Sequence, residues 1–375
     1  MLRVRLVVLA LLATLVASCS TTGTQTLFDG TQVVHPEALF DVASRSAKLR
    51  QYNGGTGMRN GERICVRERD LVDVSPLIGP SLAAVKGGGD SNKAARDFAR
   101  ALNLSAYYIL LTNDQARAAN DIAALRRHAE ANAWLVSQPS WTNAGGVIDA
   151  MGALLPAWHI LRQTTVATPA DRAAIEAWLV KLARQADEHP GDNNIGTARG
   201  AADMMLGLMI GDDARYQKGL QTGFIAQRAA MRPDGSFPLE TDRGRAALQL
   251  QSRNIALLLY AAEIGASQGQ NLYGMRVDGK GVDDAIRFLL AAADNNALVD
   301  VYAAANRNPS KAYPVFAPMD QADPVDSTAR AWAMLYTERF PRTELSAEIR
   351  ETIPIGARVF SDTTGGSVSC YATRL

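Results

Sequence analysis

Histidine, cysteine and excess charge of either sign are scarce in this chain of 375 residues. It contains 4 histidines and 3 cysteines, and no cysteine is close in sequence to a histidine, which argues against a zinc site. Lysine and arginine number 39, against 38 aspartates and glutamates, and no dense basic cluster occurs. Nothing in this balance indicates nucleic-acid binding. Arginines lining one groove could still hold a polyanion in a neutral protein.

The first 19 residues predict export. Arg3 and Arg5 precede an apolar run over residues 6–16, which is too short to span a bilayer as a stable anchor. Small residues then lead to Cys19, a pattern similar to a bacterial lipoprotein signal in which this cysteine becomes the lipidated N-terminus. The alternative is an ordinary secretory signal that is cut nearby. Export follows from either interpretation.

The rest of the chain is long enough for one large domain or two modest ones. Ser20, directly after the cysteine, favours lipid anchoring to the outer membrane rather than the inner one, so we expect a periplasmic protein. Residues 20–34 are rich in threonine and glycine and predict a flexible tether. Residues 35–375 then form a single helical domain as the economical interpretation.

Two cysteines remain after the signal, Cys65 and Cys370. In an oxidising periplasm they could form one bridge that ties the C-terminal tail to the N-terminal segment. Two unpaired thiols are the alternative.

An all-α fold is predicted from the spacing of apolar residues between residue 94 and about residue 290. Helices are expected at 94–112, 114–137, 144–163, 169–187, 196–210, 213–231, 243–266 and 282–293. Several of them are apolar on more than one face, which predicts helices packed on two sides. The expected architecture is an (α/α) toroid or incomplete barrel of antiparallel helical hairpins. The segments 32–74 and 353–375 are expected to be extended or irregular.

The segment from Gly191 to Leu259 contains three features in order. A polar loop with Asn193 and Asn194 opens a helix, and a turn follows about forty residues later. The turn consists of Pro233, Asp234, Gly235, Ser236, Phe237, Pro238, Leu239 and Glu240. The helix after it contains Arg243, Arg245, Arg253 and Asn254. Over roughly residues 120–290 this order of parts resembles the alginate lyase family, helical polysaccharide lyases that cut uronic-acid polymers.

The resemblance implies β-elimination on a uronic-acid polymer of the alginate or glucuronan type. Such chemistry needs donors that neutralise the uronate carboxylate before a base removes the neighbouring proton. The resemblance assigns that neutralising role to Asn194 and to Arg243 or Arg245, depending on the register. It implies neither a metal nor an organic cofactor, and its partner is an acidic polysaccharide.

Further substrate-binding candidates surround these residues, each with a structural alternative. Asn193 could instead cap the helix, and Arg199 could be a solvated charge. Gln251 could offer hydrogen bonds, and Trp141 could stack on a sugar ring or belong to the core. His159, beside Trp158 in an apolar helix, is expected to be a packed core residue.

The sequence departs from the family pattern at both proton-transfer positions. The family histidine falls on Ile195, and the family tyrosine falls on Leu250 or Ser252. His189, five residues before Asn194, is the nearest titratable candidate for the base. The alternative function is therefore a non-catalytic envelope lipoprotein that binds acidic polysaccharide, as in an exopolysaccharide secretion complex. A helical envelope scaffold without a sugar site is a third, weaker interpretation.

Overall fold

Helices make up nearly all the regular structure in the described part of this computed structural model. The described residues are 37–52, 64–74, 89–136, 141–188, 191–303 and 328–375. Within them the β-structure is limited to isolated bridges, Val277 with Lys280 and Ser361 with Gly366. The expected signal and tether, with the lipidation site Cys19, lie outside the described residues.

The helices have the following bounds. They are α1 Val42–Gln51, α2 Gly89–Thr112, α3 Gln115–Glu130, α4 Trp141–Leu161, α5 Pro169–Ala186, α6 Asn194–Ile210, α7 Asp213–Gly219, α8 Ala226–Ala230, α9 Pro238–Thr241, α10 Ala247–Ser267, α11 Val282–Asp294, α12 Ala297–Ala303, α13 Thr328–Arg339, α14 Glu344–Thr352 and α15 Val368–Ala372. A π-helical segment, Leu220–Ile225, joins α7 to α8, and short 3₁₀ turns occupy Glu68–Asp70 and Gly244–Ala246.

Local capping explains why several helices begin where the sequence predicts. Thr168 and Asp171 form a reciprocal capping box at the start of α5, with Pro169 in the first turn. Asn193 caps α6 by accepting a hydrogen bond from the Ile195 amide. Gly211, in the left-handed conformation, ends α6.

The long helices form two layers. In the first, α2, α4, α6, α10 and α13 contact one another in that order around the fold. In the second, α3 packs against α2 and α5, α7 packs against α6, and α11 packs against α10. The apolar stretch Ala144–Leu161 of α4 is long enough to cross a membrane, but 83% of it is buried by neighbouring helices. It is therefore a core helix, buried on more than one side as the sequence predicts.

Both ends of the described domain hold more helix than expected. α1 lies in the segment predicted to be extended, and α15 lies in the segment predicted to be a strand or coil. The structure joins Cys65 and Cys370 in a disulfide. Arg45 of α1 donates hydrogen bonds to the carbonyl oxygens of Cys370 (2.5 Å) and Thr373 (2.8 Å). These long-range contacts stabilise short helices that lack a strong local pattern.

Glycines bring α6 into backbone contact with the end of α7 and with the π-helical segment. A Cβ atom on Gly200 would overlap the Cα of Gly223, and one on Gly219 would overlap the Gly200 carbonyl oxygen. Gly196, one turn before Gly200, lies in the same way against the carbonyl of Gly191. Side chains at Gly200, Gly219 or Gly223 would force α6 away from α7 and the π-helical segment.

We expect Gly200→Ala to lower the free energy of unfolding by about 1–3 kcal/mol, because the added methyl overlaps backbone atoms that cannot move independently. The matched control is Gly145→Ala in α4, where an added Cβ meets nothing within 4 Å. That control should be neutral or stabilise by up to about 1 kcal/mol. Urea unfolding of both variants checks this, and equal effects would contradict the close packing.

Two buried histidines belong to the core. His159 donates a hydrogen bond from Nε2 to the Phe40 carbonyl (2.9 Å), and His128 donates one from Nδ1 to the Ala124 carbonyl (2.8 Å). Burial lowers the pKa of each to about 4. Neither histidine is placed for proton transfer to a ligand.

These lowered pKa values predict a pH-dependent stability. Because the unfolded chain binds protons more readily between about pH 6.5 and pH 4, the folded state loses stability as the pH falls through that range. A pKa of about 4 implies a loss of about 2 kcal/mol per histidine at about pH 5. Buried Asp121, whose pKa is raised to about 6, opposes this trend. The test is therefore the difference between the wild type and His159→Gln, measured by urea unfolding across the range. At neutral pH the variant should be less stable than the wild type, and this difference in the free energy of unfolding should shrink by about 2 kcal/mol towards about pH 5. A difference that does not change with pH would contradict the lowered pKa of His159.

Candidate active site

Asn194 and Glu240 form the centre of the candidate site. Asn194 is the first residue of α6, and Glu240 lies in the short helix α9 that ends the predicted turn. The Asn194 backbone amide donates to Glu240 Oε1 (2.5 Å), and Asn194 Nδ2 donates to Oε2 (2.8 Å). Both side chains are buried, with 4% and 1% of their surface exposed. The carboxylate of Glu240 therefore occupies the N-terminus of α6, where the helix dipole favours an anion.

Burial raises the pKa of the Glu240 carboxyl above its ordinary value. The two hydrogen bonds from Asn194 and the charges of Arg243 and Arg253 oppose that shift without cancelling it. The candidate site thus contains a buried acid that takes up a proton more readily than an exposed glutamate does.

The two positions of the missing proton-transfer residues are filled by packing. Ile195 packs against an apolar cluster of Ile148, Ala186, Ala198 and Leu257. Ser252 is buried on α10, where its hydroxyl accepts a hydrogen bond from Trp332 Nε1 (2.9 Å). Leu250, which takes the family tyrosine position in the other register, cannot carry a proton. Neither position supplies a titratable group.

The turn before α9 is held by Gln251 from α10. Its Nε2 donates to the Gly235 carbonyl (3.0 Å), and its Oε1 accepts from the Phe237 amide (2.9 Å). Gln251 is fully buried. Both ends of its amide are used within the protein, so the expectation that it binds substrate is corrected to a supporting role.

The arginines divide into exposed and paired groups. Arg243 is about half exposed and donates from Nε to the Leu239 carbonyl (3.1 Å), and Arg245 is exposed in the following 3₁₀ turn. Arg253 is paired with Asp149 of α4 (2.5 Å), which also approaches Arg96 of α2 (4.0 Å). Arg253 and Asp149 are the charged groups that the sequence assignment missed. The order of residues gave no signal for their contact, because they lie 104 positions apart.

Arg199 and Asn193 both contact the loop or backbone at the start of α6. The guanidinium of Arg199 lies against Gly191, which has a positive φ of 75°. Asn193 uses its side-chain oxygen to cap the helix, at 3.0 Å from the Ile195 amide. The capping alternative for Asn193 is therefore the one that its contacts support.

Two of the sequence candidates fall outside what the structure describes. His189 lies in the segment 189–190, outside the described residues. Trp141 begins α4, and its side chain is outside the described part. Tyr260 and Tyr273, which follow the site in sequence, are buried, and Tyr273 donates to Glu263 (2.5 Å).

We expect Asn194→Ala to lower the free energy of unfolding by about 1–3 kcal/mol, because buried Glu240 loses one of its two hydrogen-bond donors. Arg243→Ala, which removes a half-exposed side chain beside the same site, should change it by less than about 0.5 kcal/mol. Urea unfolding at neutral pH compares the two variants. Equal losses would contradict the buried pairing.

The comparisons with known proteins agree with this architecture. Alginate lyase A1-III from Sphingomonas species A1 superposes with a TM-score of 0.73 at 21% identity, over 92% of this chain and 98% of that one. A variant of alginate lyase A1-III in complex with a tetrasaccharide gives 0.75 at 21% identity, over 95% and 99%. An alginate lyase from Bacteroides ovatus gives 0.54 at 16% identity, over 91% and 93%. These likenesses confirm the predicted all-α (α/α) toroid.

Sequence comparison extends the match beyond the fold. A polysaccharide lyase from Stenotrophomonas maltophilia strain K279a is 35% identical over 115 residues, which are 29% of this chain and 34% of that protein. The match thus spans about a third of the length of that relative. The family model described as alginate lyase matches residues 87–298, more than half of the chain. This protein therefore belongs to the alginate lyase family.

Proposed function

We propose that this protein is a polysaccharide lyase that cleaves a uronic-acid polymer of the alginate or glucuronan type by β-elimination. The observation that carries the proposal is the position of Asn194 at the start of α6, a helix of the first layer. Its partner Glu240 has a pKa that the charges of Arg243 and Arg253 lower. Family membership and the toroid fold support the same reaction class.

The reaction breaks two bonds of the uronate. A base takes the proton from C5, and the electron pair of the broken C5–H bond forms the C4–C5 double bond. The C4–oxygen bond breaks at the same time, and the leaving oxygen gains a proton. The C5 proton is weakly acidic beside an ionised carboxylate, so that charge must first be neutralised. In this proposal Asn194 and Arg243 donate to the carboxylate, and exposed Arg245 binds a neighbouring acidic sugar.

We assign the base to His189, five residues before Asn194 in the same loop. A histidine has a near-neutral pKa, which suits proton removal at physiological pH. The packing of Ile195 and the buried hydroxyl of Ser252 support a relocated base over one at either of the family positions.

The same packing favours a second candidate function, a non-catalytic lipoprotein that binds acidic polysaccharide. If the chemistry was lost, apolar side chains are the expected replacements at the former histidine and tyrosine positions. Such a protein would guide or retain a polymer in an exopolysaccharide secretion complex. It would use the same arginines and Asn194 without cleaving the chain.

For either function we propose a periplasmic location, with Cys19 lipidated and anchored to the outer membrane. Acidic exopolysaccharides pass through that compartment during secretion, so an anchored protein would meet them there.

The test incubates the protein with polymannuronate, polyguluronate and glucuronan. Cleavage creates a conjugated C4–C5 double bond, so ultraviolet absorbance should rise with at least one polymer. Asn194→Ala and Arg243→Ala should each lower the rate by about 100-fold or more, the typical effect of losing one such donor. His189→Ala should abolish cleavage, since it removes the assigned base.

The matched control is Arg127→Ala, which removes an exposed arginine from α3, a helix of the second layer. Its rate should equal that of the wild type. Saturable binding without any absorbance would replace the lyase with the binding function. Neither binding nor cleavage of any uronate polymer would refute both.

A further inference from the structure

The Asn194 amide has a definite orientation, because an ionised carboxylate can only accept hydrogen bonds. Asn194 must therefore face Glu240 with its Nδ2, and its Oδ1 must face away. That oxygen is buried, and among the described residues it has no hydrogen-bond partner. The end of the Asn194 amide that points away from Glu240 is thus an acceptor without a partner.

An acceptor at this end of the amide is the wrong group to face a uronate. The carboxylate of the sugar also only accepts hydrogen bonds, so it would meet Oδ1 without any proton between them. It would also approach the charge of Glu240, which already occupies the anion position at the start of α6. Both effects oppose binding while Glu240 is ionised.

Protonation of Glu240 reverses this arrangement. Its Oε2–H can then donate to Asn194 Oδ1 once the amide rotates by half a turn, while Oε1 still accepts from the Asn194 backbone amide. The two N–H groups of Nδ2 then point to where Oδ1 lies now. Asn194 becomes a donor towards the ligand, and the charge at the helix start is removed.

We propose that Glu240 is a specificity-determining residue that lets the site bind a uronate carboxylate only together with one proton. The inference rests on the proposed recognition of uronic-acid polymers, and it applies equally to the lyase and to the binding protein. The balance is one uronate anion and one solvent proton bound, with the proton on Glu240.

The surroundings of Glu240 bear on its titration. The charged and titratable groups on the elements and turns packed around it are Asp192, Arg199, Asp203, Asp234, Asp242, Arg243, Arg245, Arg253, Tyr260, Glu263, Asp300 and Tyr302. Arg243 and Arg253 lower the pKa of Glu240, and Asp149 offsets the charge of Arg253 by pairing with it. Burial is the largest influence and leaves the pKa raised.

Glu240→Gln mimics the protonated state. Its Nε2 can donate to Asn194 Oδ1, and its Oε1 can accept from the Asn194 backbone amide. The variant should hold Asn194 in the donor orientation at every pH.

The experiment is isothermal titration calorimetry of the full protein between about pH 5 and pH 8, in buffers of different ionisation enthalpy. The probes are a mannuronate tetrasaccharide and, as the neutral match, a mannose tetrasaccharide. The wild type should take up close to one proton per uronate ligand. Its affinity for the uronate should fall about tenfold per pH unit once the pH exceeds the pKa of Glu240. Any affinity for the neutral probe should not change with pH.

Glu240→Gln should bind the uronate with an affinity that does not change with pH and without proton uptake, because the variant has no carboxyl to titrate at this position. Arg127→Ala should behave as the wild type. A purely structural role of Glu240 would not produce proton uptake on binding, and that measurement on the wild type stands even if the variant fails to fold.

Uronate binding by the wild type without proton uptake would overturn the inference and leave the proposed function intact. A Glu240→Gln variant that keeps the pH dependence of the wild type would also overturn the inference alone. Failure of the wild type to bind the uronate at any pH would overturn the inference and the proposed function together.

Discussion

The position of the candidate site depends on one backbone contact, the glycine-to-glycine approach of α6 and the π-helical segment. Gly200 lies against Gly223, and Gly219 lies against Gly200. This contact sets the lateral position of α6, while Gly196 fixes its first turn against the loop at Gly191. The start of α6 in turn holds Asn194 where it meets Glu240. A helix placed farther out by side chains would not bring those two groups into hydrogen-bond range.

The charges of the site are largely neutralised within the protein. Asp149 pairs with Arg253, and Glu240 accepts hydrogen bonds from the backbone amide and from Nδ2 of Asn194. Arg243 and Arg245 are the exposed cations closest in sequence to this centre. The buried centre of the site is therefore internally paired, and the exposed positive charge lies close to it in sequence.

The sequence predicts the helices whose signals are local. α5 begins at Pro169 as expected, because Thr168 and Asp171 cap it from within the same turn. α10 begins at Ala247 rather than at residue 243, because Gly244 has a positive φ of 55° and a 3₁₀ turn intervenes. α13 and α14 were not predicted. They are short, and packing against α10, α11 and each other stabilises them rather than a long amphipathic pattern.

The candidate site was predictable in its parts but not in its pairing. The sequence pattern identifies Asn194, the turn and the arginines, and it predicts that Ile195 cannot carry a proton. It cannot reveal that Asn194 binds Glu240, 46 positions away, because a turn glutamate is usually a solvated residue. Gln251 was assigned to the ligand for the same reason, since only the fold turns its amide inward.

The disulfide between Cys65 and Cys370 has a topological consequence. It joins residues 305 positions apart and so closes most of the chain into a covalent ring. A single cut of the backbone anywhere inside that ring leaves one connected molecule with two new ends. The order in which the helices follow one another around the toroid is then no longer tied to where the polypeptide starts. New termini at a surface loop would still leave the neighbours of α6 in one covalently connected molecule.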